Sequence, residues 1–160
     1  MTSSELFSIC QLSTNDLALM EELLAVFGEA FDEVDTYISS RPSDAYLKRL
    51  LSSDYFIALA ALKNGTVVGG LAAYELQKFE QERSEIYIYD LAVAVEHRRE
   101  GIATALIQEL KKIAVERAAY VIFVQADIGD DPAIALYTKL GVREDVLHFD
   151  IAVNNDSDRL

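Results

Sequence analysis

The 160 residues, 51% of them hydrophobic, can enclose one core and are too few for two typical domains. Fourteen basic against 27 acidic side chains leave a net charge of −13; such a chain repels nucleic acid and anionic membranes and would draw in a polycationic ligand. The one cysteine, Cys10, excludes an internal disulfide framework and a cysteine-based metal cluster, and the absence of a long apolar run or a signal-like amino terminus leads us to expect a soluble, cytoplasmic protein.

In chain order, Phe7 to Leu12 reads as a short strand, with Cys10 as packing. Ser13, Thr14 or Asn15 can cap a helix whose apolar positions include Leu17, Met20, Leu24 and Phe27, loosened near its end by Gly28. A second helix fits Ser43 to Leu51, with Ser43 as cap. Tyr55 to Lys63 and Thr66 to Leu76 are apolar, β-prone runs joined by Asn64-Gly65, the pair that tolerates a type I′ turn. Both read as mostly buried.

A long strand follows from Ser84 to Val95, then a helix from Gly101 to Arg117 with Ile102, Leu106, Leu110 and Ile113 inward. Tyr120 to Ala126 reads as a strand, Pro132 to Leu140 as a helix closed by Gly141, and Val146 to Ala152 as a last strand. The order β-α-α-β-β-β-α-β-α-β describes an α/β chain with a mixed sheet and helices on both faces. Residues 1–153 form the expected single domain, and 154–160 a polar tail.

The informative unit is strand, basic turn, helix. Between Val95 and the next helix lies Glu96-His97-Arg98-Arg99-Glu100-Gly101-Ile102-Ala103. A helix N-terminus offers unpaired N–H groups and partial positive charge, where a pyrophosphate is held well. Gly101 admits a ligand to the backbone, Ala103 keeps the wall small, and Arg98 and Arg99 supply donors matched to phosphate oxygens. The pattern is neither a Walker loop nor a three-glycine dinucleotide fingerprint.

Arg98-x-x-Gly101-x-Ala103, following Asp90-Leu91-Ala92-Val93, resembles the coenzyme A signature of the GNAT superfamily. Asp130-x-x-Ala133-x-x-Leu136-Tyr137-x-Lys139-x-Gly141 resembles its second signature. Phe56 to Ala61, Lys78-Phe79-Glu80-Gln81, Ser84 to Asp90 and Gln125-Ala126-Asp127 are similar to the aminoglycoside 3-N-acetyltransferases of the gentamicin type, and the likeness runs from about Cys10 to Ile151. Asp130 departs from many relatives, which carry Asn there.

The resemblance implies the GNAT acyl-CoA N-acyltransferase fold, with a mostly antiparallel sheet splayed where acetyl-CoA binds. It implies that the pantetheine adds like an extra strand along Leu91, Ala92 and Val93, and that Arg98, Arg99, Glu100, Gly101, Ile102, Ala103 and Thr104 hold the pyrophosphate. Transfer needs a neutral amine, whereas a free alkyl amine is mostly protonated at neutral pH, and a carboxylate in the site can accept that proton directly or through water. Asp90 is the candidate base, with Glu85 and Tyr87 on the same strand as fallback. The resemblance makes Tyr137 the acid that protonates the leaving thiolate, by direct transfer in a ternary complex with no acetyl-enzyme and no metal. A polycationic antibiotic would be met by Glu29, Asp32, Glu33 and Asp35, by Glu85, Asp127, Asp130 and Asp131, and by Tyr46 as a flat wall. Neither His97 nor His148 is given a catalytic role, and a homodimer is expected from family habit. Acetylation of another polyamine such as spermidine, acetylation of a protein amine, and a non-catalytic coenzyme A-binding module stand as alternatives.

Overall fold

Alternation organises the sheet. β2 (Phe56–Lys63) and β3 (Thr66–Gln77) form the expected hairpin, and Asn64 and Gly65 both take positive φ, 51° and 77°, as a type I′ turn requires. β1 (Phe7–Gln11) pairs antiparallel with β2, and β4 (Ser84–Val93) antiparallel with β3. β5 (Ala119–Val124) pairs parallel with β4, the crossover being α3 (Ile102–Glu116). The strand order is β1-β2-β3-β4-β5.

Residues 56 to 61 of β2 are all buried because both faces of the sheet are covered. Phe56, Ala58 and Ala60 join a core with Met20, Leu23 and Phe27 of α1 (Leu17–Ala30) and Leu47 of α2 (Asp44–Ser52). Their neighbours Ile57, Leu59 and Ala61 point to the other face. There α3 lies along the sheet and buries Ile102, Leu106 and Leu110.

The computed structural model describes residues 6–154, so most of the expected tail, and the first five positions of the amino terminus, lie outside the described residues. The chain divides into two units, Met1–Gln125 and Ala126–Leu160. The second unit contains α4 (Asp131–Leu140), with proline in its first turn and Gly141 at its carboxyl end.

Two expectations are corrected and one element is added. The cap of α1 is Asp16, not Ser13, Thr14 or Asn15; its carboxylate turns back to accept from the Ser13 N–H at 2.8 Å. Asp35–Ser39, unassigned by the sequence, is a π-helix in which Ser40 N–H reaches Asp35 O, five residues back. Val146 to Ala152 joins no ladder among the described residues. Its apolar alternation is genuine, but a strand needs a partner for its backbone, and Leu147, Phe149 and Ile151 are exposed. Within it His148 contacts Asp150, and just before it Arg143 contacts Asp145.

Candidate active site

The site starts from an irregularity in β4. Ala72 pairs with Asp90 but Ala73 pairs with Ile88, so Tyr89 is an extra residue, a β-bulge on the β4 side. Bulges bend a strand and re-aim the next side chain. On its other flank β4 is paired with β5 only as far as Ile88 with Val124. From Tyr89 to Val93 that flank has no strand partner among the described residues of the unit.

The direction of the backbone groups along this open edge follows from one hydrogen bond. Ala94 N–H donates to Val68 O at 2.8 Å, which makes Gly69–Val93 a pair that exchanges no hydrogen bonds. Val93 and, two residues back, Leu91 therefore turn their N–H and C=O away from β3, toward the open side. Arg98 Nε donates to Val93 O at 3.2 Å from that side. Ala92, between them, is buried and spends its polar groups on β3.

Asp90 stands at the head of this edge. It is half-buried, and burial together with the Glu33 charge pushes its carboxyl above the ordinary 3.8. A hydrogen bond from the Tyr37 phenol, 2.9 Å to Oδ2, acts in the opposite sense. Around it lies a run of aromatic rings: Tyr74 against Tyr89 at 6.0 Å, Tyr89 against Tyr87 at 5.9 Å, and Tyr87 stacked on Phe123 at 4.6 Å. Tyr46, on α2, is exposed and close enough to help raise the Tyr74 phenol above its usual value, although burial is the main cause. Glu85 lies five residues from Asp90, about 16 Å along the strand. Its carboxylate accepts from Tyr120 Oη at 3.2 Å, with Lys78 at 3.8 Å.

Beyond the open edge, a short 3₁₀ turn, Val95–His97, leads into the basic turn. Arg99 takes φ 63° and Gly101 φ 82°, and a Cβ built on Gly101 would meet nothing within 4 Å. The backbone at Gly101 thus faces free space. No side chain caps α3, so its first amides, from Ile102 through Thr104, point outward without an intrahelical acceptor. Arg98 and Arg99 are exposed beside them. This uncapped, glycine-opened helix end with two guanidinium groups fits a pyrophosphate. The Glu100 carboxylate is committed elsewhere, to Lys63 Nζ at 2.7 Å and to His97 Nδ1 at 3.3 Å, so only its backbone is available to a ligand. His97 is therefore half-buried against Glu100 rather than turned to solvent.

In the second unit, Asp127 and Asp130 precede α4 and Asp131 is the first residue of that helix. Asp130 is the cap of that helix, accepting from Ala133 N–H at 3.4 Å. Its charge and, first, burial push the Tyr137 phenol up to about 12.

Tyr37 escaped the reading of the sequence, because the segment between the first two helices has no regular periodicity. The signal available was Gly28, an unusual residue inside a helix: a Cβ there would stand 3.1 Å from Tyr37 Cβ and 3.3 Å from Ile38. Of the four acids expected after the first helix, Glu33 is the one whose charge reaches Asp90.

The chain belongs to the acetyltransferase (GNAT) family, which it matches over residues 18–142. It is similar to an aminoglycoside acetyltransferase from an uncultured soil metagenomic sample, with 70% sequence identity and a TM-score of 0.91 over 92% of this chain and 99% of that one. A second aminoglycoside acetyltransferase from an uncultured soil metagenomic sample, solved in complex with sisomicin, is 31% identical with a TM-score of 0.88, over 96% of this chain and 100% of the other. N-acetyltransferase family 8 member 3 of Rattus norvegicus is 28% identical over 94 residues, 59% of this chain and 41% of that relative's length. Among the described residues no helix is long and apolar enough to cross a membrane.

Proposed function

We propose that the protein transfers the acetyl group of acetyl-CoA to the 3-amino group of an aminoglycoside of the gentamicin type. The observation that carries the reading is the open edge of β4: Leu91 and Val93 turn their backbone groups outward immediately after Asp90, and the strand leads into the uncapped amino end of α3. Bound acetyl-CoA supplies an activated acyl group and a thiolate leaving group. Leu91 and Val93 bind its pantetheine as a neighbouring strand would, and the amides of residues 101–104 with Arg98 and Arg99 take the pyrophosphate.

Asp90 accepts a proton from the substrate's ammonium group, directly or through one water, and the neutral amine so formed attacks the thioester carbonyl. Burial suits it to this task, because a carboxyl held above its ordinary value is a better base. Tyr137 protonates the departing sulfur; a phenol pushed up to about 12 keeps its proton throughout the neutral range. The net charge of −13, with Asp127, Asp130 and Asp131, attracts and orients a drug bearing several ammonium groups. The two aminoglycoside acetyltransferases similar to this chain, one of them holding sisomicin, support that substrate class. The 3-amino position rests on the motifs around Lys78 to Gln81 and Ser84 to Asp90. Acetylation removes a cation that would otherwise engage RNA phosphates, so resistance is the consequence.

Thiol release from acetyl-CoA, measured in parallel with gentamicin, kanamycin, spermidine and a lysine peptide, tests the reading, and NMR of the product fixes the nitrogen. Release with gentamicin and acetylation at N3 are expected. Release with spermidine or the peptide alone would overturn the substrate class, and no release with any of them would leave a binding module.

A further inference from the structure

We propose that Tyr37 is a positioning residue for this reaction: its phenol holds one oxygen of Asp90 and thereby fixes the carboxylate in the orientation that receives the amine's proton. The inference rests on Asp90 as the base. Tyr37 lies 53 positions from Asp90 in sequence, and its Oη donates to Asp90 Oδ2 at 2.9 Å in a half-buried setting. Among the described residues Oδ1 accepts no hydrogen bond, which leaves it for the proton.

The phenol is held there by three independent features. Phe27, 1% exposed in the core, meets the Tyr37 ring edge-on at 6.1 Å, and Phe31, stacked on Phe27, meets it at 5.8 Å. Gly28 lets the Tyr37 Cβ lie against α1, where a Cβ on residue 28 would crowd it at 3.1 Å. The π-helix sets the angle at which the ring leaves the backbone; such wide turns collect at functional sites.

The charged and titratable groups facing Asp90 are Tyr37 and Glu33 from the segment after α1, Tyr74 from β3, and Tyr87 and Tyr89 from β4 itself. Of these, only Tyr37 donates a hydrogen bond to the carboxylate, which favours its charged form. Glu33 repels that charge. Removing the two groups therefore displaces the Asp90 titration in opposite directions.

Tyr37→Phe keeps the ring and removes only the donor. The acid limb of kcat/KM for gentamicin is expected to move upward by about one pH unit, with coenzyme affinity and melting temperature retained. Glu33→Gln is expected to move the limb downward. Carbon-13 NMR of the aspartate carboxyls, recorded without substrate, should show the Asp90 titration moving the same way in each variant. Superposition of both the rate profile and the Asp90 titration of Tyr37→Phe on wild type would overturn the proposal and make Tyr37 a docking residue for its loop. A moved titration with an unmoved rate profile would overturn it differently, by showing that the phenol holds Asp90 but that Asp90 is not the base.

Discussion

Lys63 Nζ lies 2.7 Å from Glu100 Oε1, tying the end of β2 to the basic turn that opens α3. The pair neutralises a carboxylate that would otherwise face the phosphates of an anionic ligand. Lys63→Met frees that charge and is expected to weaken coenzyme A binding severalfold by calorimetry, and the double variant with Glu100→Gln should recover most of the loss. The bonds to Lys63 hold the Glu100 carboxyl below its ordinary 4.5. A carboxyl lowered on folding stabilises the fold above that value and loses the contribution as the pH falls through its folded value. The stability gap between wild type and Lys63→Met should accordingly narrow as the pH falls below the ordinary 4.5 and through the lowered value of the folded state.

Gly101 separates two effects that are often confounded. Its φ of 82° strains any side chain, yet nothing stands within 4 Å of a Cβ there. Gly101→Ala should cost about 1 kcal/mol of stability through the backbone alone and keep coenzyme binding. Gly101→Asp should cost a similar amount and also lose the coenzyme, because its charge meets the pyrophosphate. Equal coenzyme affinity in the two variants would remove the turn from the binding site.

Tyr137→Phe is expected to lower turnover while coenzyme binding survives. Since the phenol is pushed up to about 12, its ionisation cannot produce an alkaline limb near neutrality. A limb between pH 7 and 9 that persists in Tyr137→Phe therefore belongs to the substrate amine. A turnover number unaltered by the substitution would demote Tyr137 to packing.

The parts of the site governed by local rules were legible in the sequence. Asn64-Gly65 announced the hairpin, and Gly101 announced an open turn ahead of α3, because each is a statement about a few neighbouring backbone angles. The outward backbone at Leu91 and Val93 came from the family likeness alone, since it depends on where pairing with β5 stops. Two features needed three dimensions. The bulge at Tyr89 leaves no mark in the residue pattern of β4, and Tyr37 meets Asp90 only after a non-periodic segment folds back on α1. The apolar alternation at Val146 to Ala152 misled for the converse reason, because period two reports suitability for a sheet and not the presence of a neighbour.

Asp90→Asn and the acids of the second unit should separate catalysis from attraction. Asparagine is nearly isosteric and cannot take the proton, so kcat at saturating gentamicin should fall by about 10²-fold or more. The fold should not suffer. A carboxyl raised on folding binds its proton more tightly in the folded state, so Asp90 favours folding at low pH and opposes it as the pH rises past its folded value. At pH 7 the melting temperature of Asp90→Asn should therefore equal or exceed that of wild type, as expected where a site holds a charge at the expense of stability. Asp130 demands a different choice of variant. It caps α4, and alanine would remove cap and charge together, whereas asparagine caps equally well. Asp130→Asn and Asp131→Asn should raise KM for gentamicin with kcat nearly unchanged, since these contacts exist before transfer as well as during it. Added salt should imitate them in wild type and have less effect in the variants, because it screens the same field. The measurement is kcat and KM across pH and ionic strength in the three variants, with thermal melts alongside. If Asp90→Asn changes only KM and leaves the pH profile of kcat intact, Asp90 is a substrate-binding carboxylate, and the proton passes to Glu85 or to a chain of water.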